Sequence, residues 1–145
     1  MPDLSTTYLG LTLKNPIVPS ASPLSQSLAG AQQLEDAGAG ALIMHSLFEE
    51  KIQHEGEQLQ RFFHQQSIGH GEADGFHPIP DDYLSYQDDY LEQLQRIKAA
   101  LEIPIVASLN SISDGGWVDY ARALEEAGAD ALELNMYYIA SNRED

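Results

Sequence analysis

LEDAGAGAL, from Leu34 to Leu42, and LEEAGADAL, from Leu124 to Leu132, nearly repeat one another, and each runs straight into an apolar stretch that ends in polar residues. The repeated unit reads as the joint between a helix and the strand that follows it. Gly38 and Gly128 fall just past the last helical turn, where a left-handed residue closes the helix and glycine alone adopts that conformation without steric strain. Two such joints predict a repeating βα architecture, in which chemistry gathers at the polar carboxyl ends of the strands.

Outward from the first joint, residues 41–46 (ALIMHS) read as a strand, and residues 25–37 place Leu28, Ala31 and Leu34 on one helical face. Further upstream, residues 17–22 (IVPSAS) begin apolar and end small and polar, which predicts the first parallel strand, while TTYLGLTLKNP alternates around Gly10 as a β-hairpin does. Approaching the second joint, Leu91, Leu94, Ile97 and Leu101 form the stripe of a helix begun near Asp88. Residues 104–110 (PIVASLN) follow as a strand, its proline tolerated at the first position. Asp114 is the expected cap of a helix with Trp117, Tyr120, Ala121, Leu124 and Ala127 on its apolar face, and residues 130–135 (DALELN) form the last strand. Between the two halves, residues 47–86 are rich in Glu, Gln, His, Gly and Pro and too long for a simple connection, so a partly helical insert capping a site is expected.

Four parallel strands preceded by a hairpin suit an α/β fold, either an open doubly wound sheet or the N-terminal half of a TIM (β/α)8 barrel. No GxGxxG or GxxxxGK[ST] follows the first strand, which weighs against the open-sheet nucleotide binders, and a hairpin at that place suits the bottom of a barrel. A whole barrel takes ~250 residues. The 145 residues therefore read as one domain, 1–145, that supplies about half of one, and the chain is expected to be a fragment.

Seven basic against 23 acidic residues give a net charge of −16, which repels nucleic acid and anionic membranes. No apolar run approaches a membrane span and MPDLSTT has no signal character, so a cytoplasmic protein is expected. The absence of cysteine excludes disulfides, thiolate catalysis and cysteine-ligated metals within the chain.

Position at the strand ends nominates Ser20, Ser22, His45, Ser46, Ser108, Asn110 and Asn135, a set of hydrogen-bonding groups suited to a heteroaromatic ligand, against the plainer reading that each caps the next helix. His45, the one ionisable member, is either a donor that titrates near neutrality or a core histidine bonded to backbone. His54, His64, His70 and His77 share the insert with Glu49, Glu50, Glu55 and Glu57, but their spacing matches no metal motif. A solvated acidic flap and no metal site are expected. Of the basic residues, only Lys51, Arg61 and Arg143 are placed to approach the strand ends.

KNPIVPSAS (14–22), AGAGALIMHS (37–46) and ADALELNMYY (129–138) resemble the flavin-binding barrel of the dihydroorotate dehydrogenases. SASP (20–23) and the run from ASLN (107–110) through Trp117 to GADALELN (128–135) are similar to the related barrel of dihydropyrimidine dehydrogenase. The resemblance implies an FMN cofactor touched by Ser20, Ala21 and Ser22, by Ser108 and Asn110, and by Asn135, which matches the asparagine opening the family's Asn-x-Ser-Cys-Pro-Asn motif. His45 and Ser46 stand where the family has the lysine and serine of Thr-Lys-Ser. The catalytic base of that motif aligns with Tyr138, a poor base at its ordinary pKa of about 10, and its second asparagine aligns with Ala140. The family's pyrimidine loop has no counterpart in the insert. The activity implied is an FMN-dependent oxidoreductase converting dihydroorotate to orotate in pyrimidine biosynthesis, with a small-molecule substrate of the dihydropyrimidine type and homodimer formation left open. Alternatives are a flavin reductase of another small molecule and a non-catalytic scaffold barrel. By itself the half-barrel is expected to be inactive and to self-associate.

Overall fold

The computed structural model describes residues 2–69 and 83–136. Strands β1 (Thr6–Tyr8) and β2 (Leu11–Leu13) form the antiparallel hairpin expected from the sequence. Both turn residues are left-handed, Leu9 at φ 52° and Gly10 at φ 78°, the conformation that lets a two-residue turn follow the twist of its strands. The chain leaving the hairpin is tied to the first helix–strand joint, because Asn15 Nδ2 donates to the Gly38 carbonyl at 2.8 Å. Backbone approaches so closely there that a Cβ on Gly40 would lie 2.2 Å from the Asn15 carbonyl oxygen.

Residues 17–22 do not form the strand predicted for them. The Ile17 and Pro19 carbonyls accept from the Gly40 and Ile43 amides at 2.8 and 3.2 Å. Pro16, Pro19 and Pro23, however, have no amide hydrogen to return, so the segment lies alongside the sheet without building a ladder. The helix expected over 25–37 is divided in the same way: a single 3₁₀ turn (Pro23–Gln26) precedes α1 (Leu28–Asp36), and between them extended Ser27 caps α1 by accepting from the Gly30 amide.

Strand β3 (Leu42–Phe48) runs directly into α2 (Glu49–Gly69), the helical part of the expected insert. Helix α3 (Tyr86–Ala100) leads to β4 (Ile105–Asn110), and α4 (Asp114–Glu126) to β5 (Ala131–Leu134). Ser85 and Asp88 exchange hydrogen bonds at the start of α3 as a capping pair. At α4 the cap is Ser113, whose oxygen accepts from the Gly116 amide, and not Asp114, the first helical residue. Gly38 and Gly128 have φ of 101° and 102°, and the two repeated joints close their helices identically, with the amide five residues after Leu34 and after Leu124 donating back to that leucine's carbonyl at 3.1 Å.

The sheet has the order β3-β4-β5, all parallel, so among the described residues there are three parallel strands where the sequence predicts four. This mixed α/β arrangement is compatible with part of a barrel. Leu42, Met44 and Leu47 of β3 and Ile105, Ala107 and Leu109 of β4 pack against Ala31, Tyr90, Leu94, Ile97 and Leu124 of the helices, all of them buried. At the amino ends of the strands, acidic side chains fasten backbone: Asp130 accepts from the Ile105 amide at 2.8 Å while pairing with Lys98 at 2.6 Å, and Glu35 accepts from the Glu102 and Ile103 amides. Among the described residues no helix is long and apolar enough to cross a membrane.

Candidate functional site

At the carboxyl ends of the strands the ladder is irregular. Ile43 pairs with Val106 and Ser46 with Ser108, so two residues of β3, Met44 and His45, face the single residue Ala107 of β4. At this irregularity α3 reaches two carbonyls of β3. Tyr90, pushed up in pKa by burial and therefore a lasting donor, gives its hydroxyl hydrogen to the His45 carbonyl at 2.7 Å. One helical turn earlier, the Tyr86 hydroxyl reaches the Ser46 carbonyl at 3.3 Å.

The same irregularity brings Ser46 into the row of Ser108 and Glu133 across three neighbouring strands. Their side chains are continuous. Ser46 Oγ and Ser108 Oγ lie 2.8 Å apart, Ser108 donates to Glu133 Oε1 at 2.8 Å, and Asn135 Nδ2 reaches both Ser108 Oγ at 3.0 Å and Asn110 Oδ1 at 2.7 Å. Ser108 at the centre is fully buried, whereas the other four residues of the network are partly exposed, so the network is held from within and open on one side. Four residues nominated from the sequence, Ser46, Ser108, Asn110 and Asn135, thus meet in one place. Glu133 was not nominated. The available signal was its position two residues before Asn135, which puts both on the same face of a strand.

His45 and Ser22 are tied at a second place, through backbone groups that share the Ser25 hydroxyl. The buried Ser25 hydroxyl donates to the Ser22 carbonyl at 2.9 Å and accepts from the His45 amide at 2.7 Å. The imidazole packs against the Tyr90 ring, centroids 4.8 Å apart, and its Nδ1 is buried without a hydrogen-bond partner. Burial pushes the His45 pKa down; the Ser25 backbone and the charge of Asp89 oppose this, and the charge of Lys51 adds to it. The ring is therefore neutral near pH 7 and lends no cation to a ligand. Neither group takes in Ser20, which is exposed, or Ala21. Lys51 lies over the Phe48 and Tyr86 rings at 5.4 and 5.3 Å.

Glu49, expected in a solvated acidic flap, is instead buried at 3% exposure. Its carboxylate accepts from the Ser111 and Ser113 hydroxyls and from the Ile112 and Ser113 amides at 2.7 and 3.0 Å. Burial works to raise its pKa, but these hydrogen bonds outweigh it and hold the group at about 2. The donors lie more than sixty residues away in sequence, so no local pattern announces them. The result is an ionic clasp between the start of α2 and the loop from β4 to α4, which fixes the rim beside the network. Elsewhere on α2, His54 bonds with Gln58, and Glu55 accepts from the Tyr83 hydroxyl and the Tyr86 amide. Among the described residues no group of three metal-ligating side chains is assembled. Tyr138, together with Ala140, Arg143, His70 and His77, lies outside the described residues.

No family model matches the chain. It is 28% identical over 142 residues to a putative dihydroorotate dehydrogenase A (fumarate) of Aeropyrum pernix, an alignment that takes in 93% of this chain and 41% of that protein. The resemblance read from the strand ends stands. A second relative is the NAD-dependent dihydropyrimidine dehydrogenase subunit PreA of Escherichia coli K12, 27% identical over 134 residues, covering 92% of this chain and 32% of the relative. Both relatives are dehydrogenases, and the chain spans 32–41% of the length of the curated proteins it matches.

Proposed function

We propose that these residues form the flavin-facing part of a (β/α)8-barrel oxidoreductase that binds FMN and acts on a small ring of the dihydropyrimidine type. The observation that carries this reading is the network of Ser46, Ser108, Asn110 and Asn135 at the carboxyl ends of three adjacent parallel strands, the position where such folds hold their ligands. The network fits the ring portion of FMN: its amide oxygen and hydroxyl lone pairs suit the N–H of a heteroaromatic edge, and its outer members are partly exposed. None of its members is basic, so the phosphate is assigned no partner here.

When bound, FMN supplies the two-electron chemistry. The chain's own residues orient. Asn110 and Asn135 fix the ring edge, buried Ser108 holds Asn135 in place, and the Glu49 clasp keeps the rim rigid. Tyr138 remains the candidate base on the resemblance alone.

A second reading, a flavin reductase of a neutral small molecule other than dihydroorotate, is favoured by two features. The carboxylate of Glu133 stands within the network, and the position of the family's lysine holds a neutral imidazole. Both disfavour an acidic substrate by simple Coulomb repulsion or lack of attraction. The test is to add FMN to the protein, follow quenching of flavin fluorescence, and then, anaerobically, challenge the oxidised complex with dihydroorotate and dihydrouracil and the dithionite-reduced complex with a panel of enones. Bleaching of the oxidised flavin by a dihydropyrimidine supports the first reading, and reoxidation of the pre-reduced flavin by enones without any bleaching by dihydropyrimidines supports the second. Failure to retain FMN removes both.

A further inference from the structure

Glu133 decides how hydrogens are arranged throughout the polar network. A hydroxyl has one hydrogen to give, a primary amide has two, and a carboxylate has none. Ser108 faces Glu133 Oε1 at 2.8 Å and must direct its single hydrogen there. Every other group around the Ser108 oxygen is then obliged to donate to it. Those groups are the Ser46 hydroxyl at 2.8 Å and the Asn135 amide nitrogen at 3.0 Å. The second amide hydrogen of Asn135 goes to Asn110 Oδ1 at 2.7 Å. Both Asn135 hydrogens and the Ser46 hydrogen are therefore used inside the protein. Asn135 has only its Oδ1 left, Ser46 only lone pairs, and Glu133 only its second oxygen.

We infer that Glu133, acting through Ser108, sets the hydrogen-bond polarity of this site so that Asn135, Ser46 and Glu133 offer a ligand acceptors alone, and that the matching group is the ring N–H of a neutral cyclic imide or ureide. This rests on the flavin and pyrimidine reading above. The N–H in question belongs either to the flavin ring or to a pyrimidine. A carboxylate or phosphate placed at the same spot meets acceptors and a like charge, which is unfavourable on both counts. Toward Asn135 and Ser46, Glu133 is a positioning residue that acts through Ser108, while its second oxygen stays an acceptor in the same set.

Two variants separate this role from plain structural support. Glu133→Gln keeps an amide oxygen that can accept from Ser108 and so preserves the polarity. Glu133→Leu removes the acceptor and frees the Ser108 hydrogen to turn toward Asn135, whose amide can then rotate. Binding of lumiflavin is compared with 3-methyllumiflavin, and of uracil with 1,3-dimethyluracil; the pair that discriminates identifies the source of the N–H. The N–H form of that pair is expected to bind the original protein and Glu133→Gln at least about tenfold more tightly, and Glu133→Leu within about twofold of its methylated analogue, because methylation leaves a desolvated acceptor unpaired. Equal affinity for the N–H and methylated forms in the original protein, or discrimination retained in full by Glu133→Leu, overturns the inference.

A ligand-free measurement keeps the two proposals apart. In protein labelled with 15N-asparagine, the Asn135 side-chain amide hydrogens are expected to exchange more slowly than those of a solvated asparagine, and to lose that protection in Glu133→Leu. Fast exchange in the original protein overturns the polarity argument even if FMN binds. Slow exchange with no binding of any flavin or pyrimidine upholds the role of Glu133 and overturns the function proposed above together with the assigned ligand.

Discussion

Gly116 stands so close to Glu49 that a Cβ placed on it would lie 2.6 Å from Glu49 Oε2, with the Ser111 and Ser113 hydroxyl oxygens at 2.5 and 2.7 Å. The first turn of α4 is thus shaped around a buried carboxylate from the start of α2. Gly116→Ala is expected to destabilise the fold by about 1–3 kcal/mol through overpacking. Because the obstruction is side chain and not backbone, Glu49→Ala should relieve part of it. Urea unfolding of both single variants and the double variant checks this, with a clear departure from additivity as the expected result.

Glu49 also makes stability depend on pH. Its folded pKa of about 2 lies below the ordinary 4.5, so the clasp contributes fully above about pH 4.5 and its contribution is lost as the pH falls toward 2. The loss amounts to on the order of 1–2 kcal/mol once solvent screening is allowed for. Melting temperature measured from pH 7 to pH 3 should fall more steeply in the original protein than in Glu49→Gln, which has no charge to lose.

Gly40→Ala should be more damaging than Gly116→Ala. The obstacle is the Asn15 carbonyl at 2.2 Å, fixed backbone that cannot rotate away, and Asn15 in turn holds the first helix–strand joint. A destabilisation of at least about 3 kcal/mol is expected, read from denaturant midpoints. A loss no larger than that of Gly116→Ala would show that the hairpin exit is free to shift.

Asn135→Ala bears on function more than on folding. The side chain is partly exposed and joins Ser108 to Asn110, so its removal opens the ligand side of the network without emptying the core. Affinity for FMN, measured by fluorescence quenching, should drop about tenfold, with the melting temperature changed by no more than a few degrees. Unaltered flavin affinity would remove Asn135 from the site.

Strand β5 pairs only with β4 among the described residues, and Leu134 at its end and Met136 beyond it are 46% and 80% exposed. An open parallel edge beside exposed apolar side chains favours pairing with another copy. Light scattering should show the chain self-associating, and Leu134→Lys should reduce it. A monodisperse, cooperatively melting monomer would contradict this.

Much of the scaffold was legible because it is built from local signals. The joints at Gly38 and Gly128 need left-handed residues, and the stripes on α1, α3 and α4 follow helical spacing, so both could be read from a few consecutive residues. Residues 17–22 were misread because their apolar composition suits a strand while their prolines deny it a ladder, a defect that appears only when donors and acceptors are matched one by one. Glu49 and Glu133 escaped for the opposite reason. Each is an acid whose partners come from other elements, and an acidic residue read in isolation defaults to solvent. Ser46, Ser108, Asn110 and Asn135 were found because strand ends in a βα-repeat converge by topology, whatever their partners.

The extra residue in β3 has a consequence for how this surface can diversify. Were His45 deleted, Met44 would stand opposite Ala107 with Ser46 still opposite Ser108, and the ladder would become regular; only the partners of Ser25 and Tyr90 would be forfeited. The imidazole is therefore a detachable module. A lineage could drop it, or exchange it for a side chain of another charge, while the serine–asparagine wiring next door carried on unchanged.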